Sequence, residues 1–450
     1  MHTPARARWA HAAGAAAASC TLVALAPSLG TSEKLLLAFV ASALVLDLVR
    51  REARDPGSPV PIVWCSAAVL LVAVAAPPRF SHDLWSYAIV GRILAVHHAS
   101  PYLHSARTFP HDALFGRVGS EWRSGTTPYG PLFVAHAAAV ALVAGSHALL
   151  YRLAFQAGAA IAIAIAMFCC WHETRRTSAL ALLGLHPVVA CSVVNGGHND
   201  AFVGLGVLLA VIAVRHERFR TAGWCLAATM LVKATAGLAL LPLLAWSWKR
   251  GGRRAARAFA APPLLAFAGM AAIPGFVHSL RRADTSTISR TSIWNIPLRT
   301  LPRLVPDLVH PAPYTLVRAG LLALLAVVAV ATVWSRRLRD PGAGVVAALS
   351  GWVAFGAYVL PWYAIWALPT AALHARSRLA ALVATQGALA TAAFLIPRSA
   401  LSAGGVVTEV VRVGVPLAVV ALFVWALTSG PVGRGRYANR MIEMPPATRQ

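Results

Sequence analysis

Acidic residues are scarce enough in this 450-residue chain, 15 against 40 lysines and arginines, to be weighed one at a time. Asp47, Glu52, Asp55, Glu173, Glu217, Asp340 and Glu443 adjoin arginine islands and read as local charge balance. Glu33, Asp83, Asp112, Glu121, Asp200, Asp284, Asp307 and Glu409 fall elsewhere, and an acid at membrane depth is a functional candidate by default. Asp83 stands in Arg79-Phe-Ser-His-Asp-Leu-Trp-Ser-Tyr, close to Trp85, Tyr87 and Arg92. A carboxylate among aromatics and hydroxyls suits a site that receives a sugar. Its structural alternative is a first-turn acid on a helix over 82–98, capped by Ser81 and worth about 0.3–1 kcal/mol through the helix dipole.

Asn195-Gly-Gly-His-Asn-Asp200 is a polar break between two apolar runs. A turn explains the glycines but not His and Asp together. His198 is suited to donate to a phosphate and Asp200 to orient it. One His and one Asp are too few ligands for a metal, so no metal and no cofactor is expected. Lys233 stands alone in an apolar run and needs an anion there, a lipid phosphate being the candidate. Arg281, Arg282 and Arg290 are further candidates for a phosphate ligand. Tyr87, Arg92, Tyr129, Trp362 and Tyr363 are the candidate sugar contacts, although Pro361-Trp-Tyr-Ala-Ile-Trp reads equally as an interfacial aromatic belt.

The elements that must carry these residues are membrane helices. The chain is 58% hydrophobic and 12% charged, with mean hydropathy +0.65, where a soluble domain has roughly a quarter of its residues charged. The net charge of +25 suggests nucleic acid only until its placement is considered. The basic residues sit in short islands between apolar runs, as the positive-inside rule requires, so the partner is the lipid bilayer and not nucleic acid. None of the six cysteines has zinc-site spacing.

Apolar runs fall near 10–28, 35–49, 60–77, 129–146, 149–171, 178–194, 199–214, 222–247, 257–276, 314–334, 343–360, 363–374, 378–396 and 405–428. They predict an all-α polytopic membrane protein of about 11 to 14 transmembrane helices. Charge places the N-terminus inside, two larger loops (78–128 and 277–313) outside, and Lys233 at the outer tip of a hairpin. Between 129 and 215 the count fails by one crossing, which predicts a re-entrant run or a half-depth pair lining a cavity. The organisation expected is N-terminal helices over 1–59, a catalytic membrane domain over 60–428 and a disordered cytoplasmic tail over 429–450.

In their order, Asp83-Leu-Trp-Ser-Tyr, Ser100-Pro-Tyr, Pro128-Tyr-Gly-Pro-Leu-Phe, Gly196-Gly-His-Asn-Asp, Lys233 and Pro361-Trp-Tyr resemble the actinobacterial polyprenyl-phosphomannose-dependent α-1,6-mannosyltransferases. Those are glycosyltransferases of the GT-C membrane fold, used in lipomannan and lipoglycan synthesis. The resemblance spans about residues 60 to 396 and rests on order, no single motif being decisive; because family members are often longer at the N-terminus, it implies a reduced set of first helices here. It implies a GT-C-like bundle in the plasma membrane with its site on the extracytoplasmic face. It further implies a polyprenyl-phosphate mannose donor, a glycolipid or cell-envelope glycan acceptor, and Asp83 as catalytic base. A β-linked phosphate displaced with inversion gives an α-mannoside and needs one base. Cations such as Lys233, His198 and the three arginines replace a general acid.

Two rivals differ in what they require. A flippase or transporter of lipid-linked sugar requires repeat-related helix breaks, and no internal repeat is visible. An enzyme of the same fold using another polyprenyl-phosphate sugar differs by only a few hydrogen bonds.

Overall fold

The computed structural model describes residues 3–284, 288–300, 302, 305, 312–337, 340–402 and 405–429; among them there are helices and turns and no strand. The tail expected beyond Gly430 lies outside the described residues. Helices α1 (Thr3–Ala24), α2 (Thr31–Arg54) and α3 (Val60–Ala75) pack together at the N-terminus. The first large loop follows, built from α4 (Asp83–Ala95) and three single 3-10 turns. Then come α5 (Pro131–Ala144), α6 (Ala148–Thr174), α7 (Thr177–Gly184) and a π-helical segment, Val188–Val194. The chain continues through α8 (Asp200–Arg215), α9 (Phe219–Val232), α10 (Leu240–Ala272) and α11 (Phe276–Asp284). It closes with α12 (Pro313–Arg337), α13 (Pro341–Phe355), a buried 3-10 segment Pro361–Trp366, α14 (Arg378–Leu395) and a helical stretch α15 (Val406–Thr428).

Five described stretches are long and apolar enough to cross a membrane: α6, Ala234–Ala272, Pro313–Ser335, α14 and α15. The pair α7 and Val188–Val194, bent by 49°, makes up to six if taken as one span. The helices α3, α5, α9 and α13 are apolar but shorter. Their outer faces carry large exposed apolar side chains such as Leu71, Leu142, Val143, Phe168 and Leu322, which suits contact with lipid tails. This is an all-α polytopic membrane protein.

The breaks are where the chain departs from regular spans. The bend after α7 falls at Leu185-His186-Pro187, in the stretch where the crossing count failed. Proline removes a ladder hydrogen bond there, and a π-helix follows. The 222–247 run is likewise two pieces. Lys233 takes an extended conformation (φ −152°, ψ 119°) between α9 and a 3-10 turn, Ala234–Ala239. Within α10, Gly252 at φ +64° separates an apolar half from one that packs back on α9, inside the basic island 249–257.

The two large loops are tied to each other. Ser279 Oγ donates to the Tyr102 carbonyl (3.0 Å) and lies 2.7 Å from Thr126 Oγ1. The described part of the second loop is also pinned to the approach to Pro361. Ser292 Oγ donates to Gly356 O, Trp294 Nε1 to Phe355 O, and the Val359 N–H to Ser289 Oγ. Asp284's side chain and Asp307 lie outside the described residues.

Candidate active site

Helix α4 begins at Asp83, with His82 rather than Ser81 in the cap position and no side-chain cap. Ser81 instead accepts the Asp83 N–H through its hydroxyl (3.1 Å), which fixes the turn just ahead of the acid. The Asp83 side chain is 12% exposed, so it stands at the rim of the buried region. Burial pushes its carboxyl up to about 7. The Lys233 charge and hydrogen bonds from Ser81 and Trp122 oppose that rise, and the Asp200 charge adds to it.

One turn along α4 lies Tyr87, whose hydroxyl is 3.2 Å from Nδ1 of His198. The same Nδ1 is 3.8 Å from Asp83 Oδ2. The ring of His198 stacks on Trp362 at 3.8 Å between centroids and 18° between planes, and its Nε2 is buried without a partner. This position exists because Asn195-Gly-Gly-His folds as a tight turn. Gly197 takes φ +61°, the left-handed region that glycine enters without penalty, and a Cβ on it would lie 2.9 Å from Leu84. Asn195 itself is structural. Its amide donates to the carbonyls of Ala73, Ala76 and Pro77 and its oxygen accepts the Arg79 N–H, binding the turn to the end of α3.

Asp200 opens α8 and is fully buried. Its Oδ1 accepts from Lys233 Nζ (2.8 Å) and from the Trp366 indole N–H (2.5 Å), whereas Oδ2 is buried with no partner. Asp200 therefore pairs with Lys233; the expected orienting partner of His198 is instead Tyr87. The ammonium lies over three rings, 4.8 Å from the centroid of Tyr363, 5.2 Å from Trp366 and 5.7 Å from Tyr129. Tyr363 and Trp366 stack at 4.3 Å. Tyr129 reaches this point because Gly130 donates its N–H to Val232 O, and a Cβ there would lie 2.2 Å from Leu231 O.

Thus Asp83, Tyr87, Tyr129, His198, Asp200, Lys233, Trp362 and Tyr363 share one cluster drawn from five distant segments. The remaining candidates do not join it in the same way. Arg92 is engaged in a buried pair, its Nε 2.8 Å from Asp112 Oδ2, and it also donates to the Gly145 carbonyl. Asp112, with no exposed side-chain surface, further accepts from Leu114 N–H and contacts His97 Nε2 at 2.7 Å. Burial alone would raise the Asp112 carboxyl, yet those partners hold it below its usual range. Arg290 donates to the carbonyls of Phe394 and Ile396 and lies over the Phe394 ring, so it secures the end of α14. Arg281 is exposed on α11, and the side chain of Arg282 lies outside the described residues. Pro361–Trp366 is buried inside the molecule, which corrects the reading of it as a surface aromatic belt. Among the described residues, no three His, Cys, Asp or Glu gather as a metal site would need.

Sequence reasoning passed over Trp366. Its indole sits four residues after Trp362 on the same short turn, and only the burial of Asp200 makes its N–H matter.

Comparison with known proteins gives this arrangement a lineage. Residues 35–250 match the family model of the alpha-(1->6)-mannopyranosyltransferase N-terminal domain. Alpha-(1->6)-mannopyranosyltransferase A of Mycobacterium tuberculosis (strain ATCC 25618 / H37Rv) is 30% identical over 344 residues, 70% of this chain and 65% of that protein. Over residues 35–250 the chain is similar to this family. Alpha-(1->6)-mannopyranosyltransferase A of Corynebacterium glutamicum is 28% identical over 188 residues, 40% of this chain and 37% of that protein. The aligned part is therefore under two thirds of either relative's length. The region matched to the family model contains Asp83, His198, Asp200 and Lys233, while Trp362, Tyr363 and Trp366 come from beyond it.

Proposed function

We propose that this protein is a membrane α-mannosyltransferase that takes mannose from a polyprenyl-phosphate mannose. It transfers the sugar, with inversion and α-1,6 linkage, to a lipid-linked or cell-envelope glycan. The observation that carries the reading is Asp83, a carboxyl near pH 7 at the rim of a cluster whose floor holds Lys233 and His198. Catalytic bases work best with a carboxyl near the operating pH, and perturbed acids gather at sites.

Asp83 takes the proton of the acceptor hydroxyl as its oxygen bonds to the sugar's anomeric carbon. The bond from that carbon to the phosphate oxygen breaks, and its electron pair leaves with the polyprenyl phosphate. One hydrogen of the Lys233 ammonium is held by Asp200, so two remain to meet the phosphate. With the Tyr87 hydroxyl donating to Nδ1, neutral His198 carries its proton on Nε2 and offers a further donor. Tyr87, Tyr129, Trp362 and Tyr363 supply the faces and hydroxyls a sugar ring would meet. The positive-inside rule supports an extracytoplasmic position for this cluster at the plasma membrane.

The test is mannose transfer by purified protein, wild type against Asp83→Asn. The variant should lose about 10²–10⁴-fold, the usual worth of a general base. Near-normal transfer by the variant removes Asp83 from the role. Transfer from a nucleotide sugar, but not from polyprenyl-phosphomannose, sinks the donor assignment.

A further inference from the structure

A cavity of about 340 Å³ lies far from the Asp83 cluster and has no part in the mechanism above. It opens between the C-terminal end of α2, helix α7 and the N-terminal end of α14. Arg50, Arg54 and Arg376 line it together with an apolar wall that includes Leu46, Val49 and Leu182. Its size is within the range of ligand cavities, roughly 300–1,000 Å³.

The cavity is built on anchored walls. The end of α2 is held by Glu52, buried, which pairs with Arg8 and accepts from the Thr177 hydroxyl and the Gly57 N–H. The loop that carries Arg376 is held by His374, 3.1 Å from Asp340, which itself pairs with Arg215. Every nearby acid is thereby occupied. Asp47, one turn before Arg50, pairs with Arg51 and His11, and Asp55 pairs with Arg8. Among the described residues, Arg50, Arg54 and Arg376 make no hydrogen bond or ion pair with a carboxylate. Three guanidinium groups line the cavity, none held by a carboxylate hydrogen bond and with only the Asp47 charge acting on Arg50, beside a wall that prefers hydrocarbon.

The position sets which leaflet can supply the anion. Helix α14 has its N-terminus at the cavity, whereas Phe394 at its other end contacts Trp362 of the cluster (6.1 Å). Its 18 residues separate the two by about 27 Å at 1.5 Å per residue. Cavity and cluster therefore lie near opposite membrane faces, and the positive-inside rule assigns the arginine-lined end to the cytoplasmic leaflet.

We propose that this cavity binds the phosphate headgroup of an anionic phospholipid of the cytoplasmic leaflet. The arginines hold the phosphate through charge-assisted hydrogen bonds, and the acyl chain follows the apolar wall. The protein is extracted from nanodiscs of mixed phosphatidylcholine and phosphatidylglycerol, and the lipids that stay bound are counted by native mass spectrometry. Wild type should retain phosphatidylglycerol preferentially. The Arg50→Gln, Arg54→Gln, Arg376→Gln triple variant should lose about tenfold or more of that preference at unchanged thermal stability. Ala381→Trp, which fills the cavity and leaves all charges in place, should show the same loss. Removing two exposed arginines of another island, Arg253→Gln with Arg254→Gln, should leave the preference intact. An equal loss in that control, or a preference retained in the triple variant or in Ala381→Trp, overturns the proposal. Release of the retained lipid by millimolar inorganic phosphate also overturns it, because the site would then be one for free phosphate.

Discussion

A carboxyl near 7 is half ionised at neutral pH, so the charges around Asp83 set how much base is present. The base must be ionised, so kcat/KM for transfer should rise with pH through about 7 and level off above it. Asp200 raises the Asp83 carboxyl and Lys233 lowers it. Asp200→Asn should therefore move the rising limb to lower pH. A limb that stays in place would separate the limb from Asp83. The Lys233–Asp200 pair has a stability cost of its own when broken. Lys233→Met leaves a fully buried carboxylate unmatched and should cost about 3–5 kcal/mol, more than the double variant with Asp200→Asn. Thermal unfolding of the three proteins measures the difference; equal losses in single and double variants would remove the pair from the account. These residues were legible in the sequence because charge is rare in an apolar chain, and each isolated charge needs a reason. What scarcity could not show was pairing. His198 and Asp200 are two residues apart, yet one turns to Tyr87 and the other to Lys233, and Arg92 answers to Asp112.

Elements bring these residues together through breaks rather than through regular spans. The Lys233 break is held against the start of α5, where Gly130 passes within a methyl's width of Leu231. Gly130→Ala should force α5 away from α9 at a cost of about 1–3 kcal/mol, and transfer should fall with it because Tyr129 shifts. Unchanged activity in that variant would show that Tyr129's position over Lys233 is not needed. The first loop depends on its own buried pair. Asp112→Ala leaves Arg92 without its carboxylate, and limited proteolysis should then cut between 97 and 127 well before the wild-type loop is cut. The folded Asp112 carboxyl sits below its unfolded value, so its contribution is present above about pH 4 and fades as pH falls through the folded value. Proteolysis that is equally slow in the variant would count against the tether. The sequence made the apolar runs and two of their breaks readable, since Asn195-Gly-Gly-His-Asn-Asp200 and Lys233 interrupt hydropathy. The π-helix at Val188–Val194 and the burial of Pro361–Trp366 were not readable, because an apolar run looks alike whether lipid or protein covers it.

At the scale of the whole molecule the arrangement implies a polarity that can be tested without any sugar. The cluster end carries both large loops, and the opposite end carries the arginine islands at 50–54, 215–220, 249–257 and 376–378. Charge asymmetry of this kind orients a polytopic protein, because short arginine-rich loops resist translocation. The six native cysteines all lie in apolar segments, so a cysteine-free background is a modest change. In it, a single cysteine at the exposed Glu121 should react with a membrane-impermeant maleimide on intact cells. One at the exposed Arg254 should react only after the membrane is opened. The reverse pattern would put Asp83 in the cytoplasm, where the acceptor proposed here is not displayed. It would leave the local chemistry of Asp83 and Lys233 intact while overturning the side of the membrane on which it acts. Equal labelling of both positions on intact cells would mean that one end is not where its charge places it. Either outcome falls on topology alone, and the transfer assay on Asp83→Asn then decides the chemistry independently.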